Sequence, residues 1–333
     1  MQDPEVHNFG EINMQAIVYT EYGTPDVLQQ KEVEKPIPGD DEVLVKIMAA
    51  SLNASDLELL KGSPYYVRIW GFLKPKYQIL GSDIAGIVEA VGKNVKQFKP
   101  GDEIFGDLFT SWGGFAEYVC APEKALMLKP PGITFGEAAA IPQAAVVALQ
   151  SLRYKKNIRP GQRILINGAG GGAGSFALQI AKLWRAEVTG VDNTGKLEMM
   201  QLLGADQVID YTREDFTQNG QRYDFIVDFV AYRSIFDYKR ALHPKGVYVM
   251  VGGSLPRIFQ TLMLAPWISM TARKKMGILM HKQNKEDLNF ILELIEIGEI
   301  APVIDRQYPL SEVADAFRYL GAGKAKGKIV INI

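Results

Sequence analysis

Cysteine is nearly missing, with Cys120 the only one in 333 residues. That excludes an intrachain disulfide and any zinc cluster held by several thiolates, and it fits a reducing compartment. Its place after Phe115-Ala116-Glu117-Tyr118-Val119 reads as a packed strand thiol rather than a nucleophile. Histidine is scarce as well, three in all, which argues against histidine-rich metal sites. Charge of one sign is lacking: the net charge of −1 gives no electrostatic basis for nucleic acid or an anionic membrane as partner. No run reaches the ~20 apolar residues a spanning helix needs. In the apolar segment Leu255 to Met280 the longest uncharged run, Ile258 to Ala272, has 15. Residues 1–13 lack the basic-then-apolar profile of a secretory signal. Strand-like sequence starts only after Met14, so these residues read as an added or flexible extension, His7 is set aside, and a cytoplasmic protein is expected.

What is present is glycine at a strand-to-helix junction. A β-branched run, Ile164-Leu165-Ile166, breaks into Gly168-Ala169-Gly170-Gly171-Gly172-Ala173-Gly174. A periodic segment follows from Ser175 to Trp184, then a strand Glu187 to Val191 ending at Asp192, 18 residues past the last glycine. Strand, glycine-rich turn, helix and strand make a βαβ unit that can hold a dinucleotide. The glycines admit a pyrophosphate close to the backbone, and the helix N-terminus offers it unpaired N–H groups. The bland alternative is an ordinary glycine turn; context, rather than strict spacing, favours the dinucleotide.

A chain of this length suits two domains. From Met14 to about Ala125 short strands punctuated by Gly and Pro suggest a partly open β-barrel, with a helical stretch Ala54 to Leu60 closed by Gly62. From about Thr134 the pattern changes, beginning with a helix from Gly136 to Leu152 interrupted by Pro142. Alternating strands and helices then imply a doubly wound parallel sheet, and Asn284 to Ile297 reads as an amphipathic helix. The terminal strand Lys328 to Ile333 resumes the earlier β-rich style. The expected α/β fold is therefore a doubly wound Rossmann sheet over 136–300 inserted in a β-rich catalytic domain over 14–135 plus 301–333. Segment 255–280, rich in methionine, stays open between core or dimer packing, a pocket wall over a nicotinamide, and weak interfacial membrane contact.

Several blocks together resemble the zinc-independent quinone-oxidoreductase branch of the medium-chain dehydrogenase/reductase superfamily. They are Ala50 to Asp56, Leu80 to Val88, Phe98 to Gly106, Gly113 to Tyr118, the glycine-rich block, Leu203 to Tyr211, and Gly327 to Val330. The resemblance covers nearly everything from Met14 on and implies a GroES-like fold for the catalytic domain. At the positions matching the catalytic zinc ligands of related alcohol dehydrogenases stand Asn53, Ser82 and Gln143, whose neutral oxygens are poor partners for Zn²⁺. No zinc is expected. Reduction of a quinone or α,β-unsaturated carbonyl needs no such Lewis acid, because conjugation already makes the acceptor carbon electrophilic.

The resemblance implies Asn53 and Ser55 as orienting groups for nicotinamide or substrate carbonyl, with Asp56 bracing the backbone beside them. The bland alternative for Asn53 is a turn or helix cap. Many relatives carry a tyrosine where Glu58 stands; Tyr65 or Tyr66 could supply that hydroxyl, and the proton donor stays unassigned. Gly170, Gly171, Gly172 and Ala173 are expected at the pyrophosphate, with Phe229, Gly252 and Gly253 near the nicotinamide. Asp192 favours the ribose hydroxyls of NAD. Against it, the loop Asn193-Thr194-Gly195-Lys196 and Tyr211 match a grip on the 2′-phosphate of NADPH. NADP(H) is expected over NAD(H). A homodimer is expected from pairing of a sheet edge near Val247 to Val251. A rival from another class is an NAD(P)H-binding sensor or scaffold that keeps the fold without turnover.

Overall fold

The computed structural model describes residues 13–333, and the expectation for residues 1–12 lies outside them. The longest strand, Glu42–Leu52, carries the first sheet. Its first half pairs antiparallel with Tyr118–Pro122 and its second half with Lys328–Asn332, while Asp83–Val91 runs along its other side. Register shifts at Leu44/Val45 and Ile47/Ala49 bend it so that one strand serves three neighbours. Gly86 sits in that bend, where a Cβ would collide with the Lys46 carbonyl oxygen. The sheet order is Ile304–Pro309, Lys328–Asn332, Glu42–Leu52, Asp83–Val91, Glu103–Asp107 and Leu126–Leu128. Among the described residues it does not close into a barrel.

The second sheet is wholly parallel: Gln207–Asp210, Glu187–Asp192, Arg163–Asn167, Tyr223–Asp228, Leu242–Met250, Lys275–Ile278. In chain order that is 3-2-1-4-5-6, a doubly wound arrangement whose switch point lies beside the first strand. The glycine-rich turn leaves that strand at its carboxyl end.

Two alanine-rich helices join the sheets. Thr134 caps Phe135–Ala139: its Oγ1 accepts the Glu137 N–H at 3.2 Å while the Glu137 carboxylate accepts the Thr134 N–H at 2.8 Å. The single helix expected over Gly136 to Leu152 is in fact two, because Pro142 cannot donate inside a helix and instead opens Pro142–Leu152 at its first position. Small Ala138, Ala139, Ala140, Ala144 and Ala145 are buried in one core that reaches Ala49, Ala85 and Val330 of the first sheet and Ile164, Val227 and Val249 of the second. This shared core fixes the two sheets against each other.

One expectation is corrected here. Leu242–Met250 is not an edge strand, since Lys275–Ile278 covers it in parallel. That short strand, Lys-Met-Gly-Ile, has only one β-branched residue and no alternation, so the segment hid it. The segment's first part is a helix, Leu255–Thr271. Cys120 lies within strand Tyr118–Pro122, half-buried, and burial pushes its thiol up to about 12. Among the described residues no helix is long and apolar enough to cross a membrane.

Candidate active site

The glycine turn is shaped by close approaches. Gly168 has φ of +84°, and a Cβ on it would press on Phe229 and Val230. A Cβ on Gly170 would lie 2.6 Å from Lys196 Cδ, and one on Gly172 would lie 2.8 Å from Lys328 Cδ. Helix Gly172–Leu183 begins there, so the first N–H groups, those of Gly172 and Ala173 among them, have no acceptor within the helix. Gly170 N–H donates to Asp192 Oδ2 at 3.0 Å, and Lys196 Nζ lies 3.2 Å from Asp192 Oδ1 with both side chains buried. A glycine cradle, open donors and two lysines along its rim fit a pyrophosphate.

Opposite this turn the first sheet gathers a buried polar cluster. Asn53 is the N-cap residue of helix Ala54–Lys61 and shares a capping box with Asp56, whose carboxylate accepts the Asn53 N–H at 2.7 Å. Its Nδ2 donates to Asp83 Oδ2 at 2.9 Å and to Ser82 Oγ at 3.3 Å, and its Oδ1 accepts from Lys328 Nζ at 2.6 Å. Asp83 also accepts Gln143 N–H at 3.1 Å and faces Lys328 Nζ at 3.4 Å. Ser55 Oγ donates to Gln143 Oε1 at 2.9 Å, which leaves Gln143 Nε2 buried without a partner. An orphaned amide donor beside the cofactor turn is suited to a carbonyl or carboxamide oxygen.

The ionisable members pull against burial. Asp83, fully buried, is pushed up to about 6 by desolvation, with Lys328 opposing, and the Lys328 ammonium is pushed down by the same burial. Asp56 is pushed up to about 7 by desolvation, although it accepts N–H groups from Asn53 at 2.7 Å and Gly81 at 2.9 Å. It ties the backbone at Asn53 to the backbone at Gly81.

Asn53, Ser82 and Gln143 converge, but as a donor set they do not fit Zn²⁺. All three are neutral, Asn53 Oδ1 is already occupied by an ammonium, and a second cation there would meet Lys328 directly.

The other expected residues divide. Phe229 N–H donates to Asn167 O at 3.0 Å, and Gly252 and Gly253 pack on Phe229 and Ala231 at the same strand ends. Asn193 Oδ1 holds Gly195 N–H at 3.1 Å, Thr194 bonds to Asp210, and Tyr211 N–H reaches Asp192 O at 3.2 Å with its ring half-exposed beside Tyr232. Tyr65 is 71% exposed on a 3₁₀ turn, its ring 5.0 Å from the Arg68 guanidinium, whereas the cluster is buried. Missed altogether were the roles of Asp83, Lys328 and the Gln143 amide. A lone lysine opening an apolar terminal strand was the available signal for Lys328, which is only 2% exposed.

Comparison with known proteins agrees with the fold. Residues 39–131 match the family described as alcohol dehydrogenase GroES-like domain, and residues 203–331 match one described as zinc-binding dehydrogenase. The chain is 35% identical to a 2-methylene-furan-3-one reductase of Solanum lycopersicum, over 96% of this chain and 79% of that protein. It is 32% identical to a chloroplastic NADPH-dependent alkenal/one oxidoreductase of Arabidopsis thaliana, with the same coverage. The solved quinone oxidoreductase of Coxiella burnetii superposes with a TM-score of 0.88 at 28% identity, covering 97% of this chain and all of that one.

Proposed function

Since the chain belongs to the zinc-independent quinone-oxidoreductase branch of the medium-chain dehydrogenase/reductase superfamily, we propose that it reduces quinones or α,β-unsaturated carbonyls with NADPH and without zinc. One observation carries the reading. Lys328 touches the phosphate turn at Gly172 and the polar cluster at Asn53, joining a dinucleotide cradle to an ammonium where a metal would otherwise be sought.

NADPH, when bound, supplies the hydride, and conjugation in the substrate receives it. The chain's residues do the rest. Gly171, Gly172 and Ala173 would hold the pyrophosphate, and Lys328 adds positive charge beside it. Asp83 fixes Asn53 and the first turn of helix Pro142–Leu152, and Ser55 turns the Gln143 amide so that Nε2 stays free. That preset donor stabilises negative charge on a carbonyl oxygen without reorganising. Lys196 supports NADP(H), because it neutralises Asp192, the group that would otherwise repel a 2′-phosphate. We extend the reading to a catalytic domain of 14–135 plus 301–333 around a cofactor domain of 136–300. The single cysteine supports a reducing, cytoplasmic setting, and the open edge of Lys275–Ile278 supports pairing of two copies.

Steady oxidation of NADPH by a panel of quinones and enones, followed at the nicotinamide absorbance, tests the proposal. Turnover with several members is expected; silence across the panel despite tight NADPH binding would favour a sensor. Lys196→Ala should weaken NADPH at least tenfold while leaving NADH within about threefold, as one charge-assisted contact of about 1.5–3 kcal/mol requires. Equal weakening of both cofactors would return the preference to NAD(H).

A further inference from the structure

Helix Leu255–Thr271 leaves most of its larger apolar side chains uncovered. It buries Thr261, Ala265 and Ile268 and packs Ile258 and Leu264 partly onto the same core, while Phe259, Leu262, Met263, Trp267 and Met270 face outward, the last 82% exposed. With Leu255 these recur at the three- and four-residue steps of one helical face. A helix seated on a sheet ordinarily turns its bulk inward, and a contiguous exposed apolar face marks a contact surface.

The chain's near-zero net charge conceals what borders this face. From Ser254 to Lys285 there is no acidic residue, while Arg257, Arg273, Lys274, Lys275, Lys282 and Lys285 lie within the same stretch. Lys239, from the neighbouring helix Ile235–Ala241, places its ammonium 5.9 Å from the Trp267 ring. The nearby acid, Asp237, is spent on Arg240 at 2.8 Å. Lys274 is turned inward onto the carbonyls of Lys239 and Leu242, and Arg257 donates to the Tyr232 carbonyl at 3.0 Å and to Gln260 Oε1 at 3.2 Å, which leaves Lys239 and Arg273 as the cationic rim.

We propose that this face docks on an anionic lipid bilayer, with Phe259, Leu262, Met263 and Trp267 entering the headgroup boundary and the rim pairing with lipid phosphates. Aromatic and aliphatic side chains on one face with lysine and arginine beside them make an interfacial helix, and negative lipid attracts such a rim. A second copy laid on the same face would bring like rims together with no carboxylate between Ser254 and Lys285 to pair them. The helix has 17 residues, roughly 25 Å at 1.5 Å each, so it lies along a surface and does not cross it.

The test uses the full chain with vesicles of 30% phosphatidylglycerol in phosphatidylcholine, and of phosphatidylcholine alone, in a flotation assay that needs no turnover. The protein should float with the anionic vesicles, at least fivefold less with the neutral ones, and at least fivefold less when salt is raised from 0.1 to 0.5 M. Phe259→Ser with Trp267→Ser should lower binding tenfold or more, and Arg273→Glu should lower it on anionic vesicles alone. Both variants should keep the parent melting temperature and NADPH affinity, since these side chains are exposed and outside the cofactor turn. Tryptophan emission should shift to the blue on anionic vesicles, and the shift should vanish in Trp267→Phe. Binding equal on both vesicle types, no binding at all, or self-association that the Phe259→Ser/Trp267→Ser variant abolishes in the absence of lipid would each overturn the proposal.

Discussion

Asp83 shows what one residue can carry in a buried cluster. Its carboxylate takes Asn53 Nδ2, the Gln143 N–H and the Lys328 ammonium, with Ser51 Oγ at 3.5 Å. Removing one partner of such a pair leaves the other charge buried and uncompensated, at about 3–5 kcal/mol. Asp83→Asn should therefore lower the unfolding free energy by that amount in denaturant titration. Adding Lys328→Met should restore much of the stability while NADPH turnover stays low. A double variant no more stable than Asp83→Asn would mean that the two charges are not coupled.

Asp56 gives a pH signature. Its folded value of about 7 lies above the ordinary 3.8, so the native state holds a proton that the unfolded chain has released. The sign follows: this stabilising term is whole below about pH 3.8 and is lost as pH rises through about 7. Its full span is about 4 kcal/mol at most. Asp56→Asn cannot release that proton. Its stability relative to the parent should rise between pH 4 and 7 in urea titrations, even though the variant weakens the N–H contacts from Asn53 and Gly81. A constant difference across that range would remove the buried-acid reading.

At the scale of an element, the turn from strand Arg163–Asn167 into helix Gly172–Leu183 is the most constrained piece of backbone. A Cβ on Gly174 would collide with the carbonyl oxygen of Gly168, which leaves the turn no room to keep its path. Gly174→Ala should weaken NADPH binding at least tenfold by calorimetry and lower the melting temperature. The shifted loop would lose both its helix-end donors and its packing. Gly220 is a fair control, because its φ of +79° strains alanine locally while nothing lies within 4 Å of its Cβ. Gly220→Ala should cost about 1 kcal/mol or a little more and leave NADPH affinity unchanged. The split helix at Pro142 belongs to this scale as well, because it sets Gln143 in a first turn whose N–H groups are free for Asp83.

For the whole molecule, the decisive arrangement is the return of the chain's end. Lys328–Asn332 enters the first sheet between Ile304–Pro309 and Glu42–Leu52, and Gly327 N–H donates to Gly170 O at 3.0 Å. One residue later Lys328 stands at the junction of the two sheets. The polar cluster is thus assembled from Asn53, Ser82, Asp83, Gln143 and Lys328, which are drawn from four separate stretches of chain.

The sequence by itself determined the local parts: strand, glycine turn and helix at the cofactor cradle, the short β-branched strands around it, and the lack of any thiolate or imidazole where a metal would need one. These are short-range facts, dictated by backbone sterics and side-chain chemistry within a few residues. It could not determine that Asn53 would accept Lys328 across 275 positions, that Asp192 would be neutralised by a buried Lys196, or that a helix of apolar residues would turn most of its larger side chains outward. Only the tertiary structure decided these. Which partner satisfies a buried polar group, and which face of a helix meets a sheet, depend on how distant stretches pack together, and periodicity records a face without saying what will cover it.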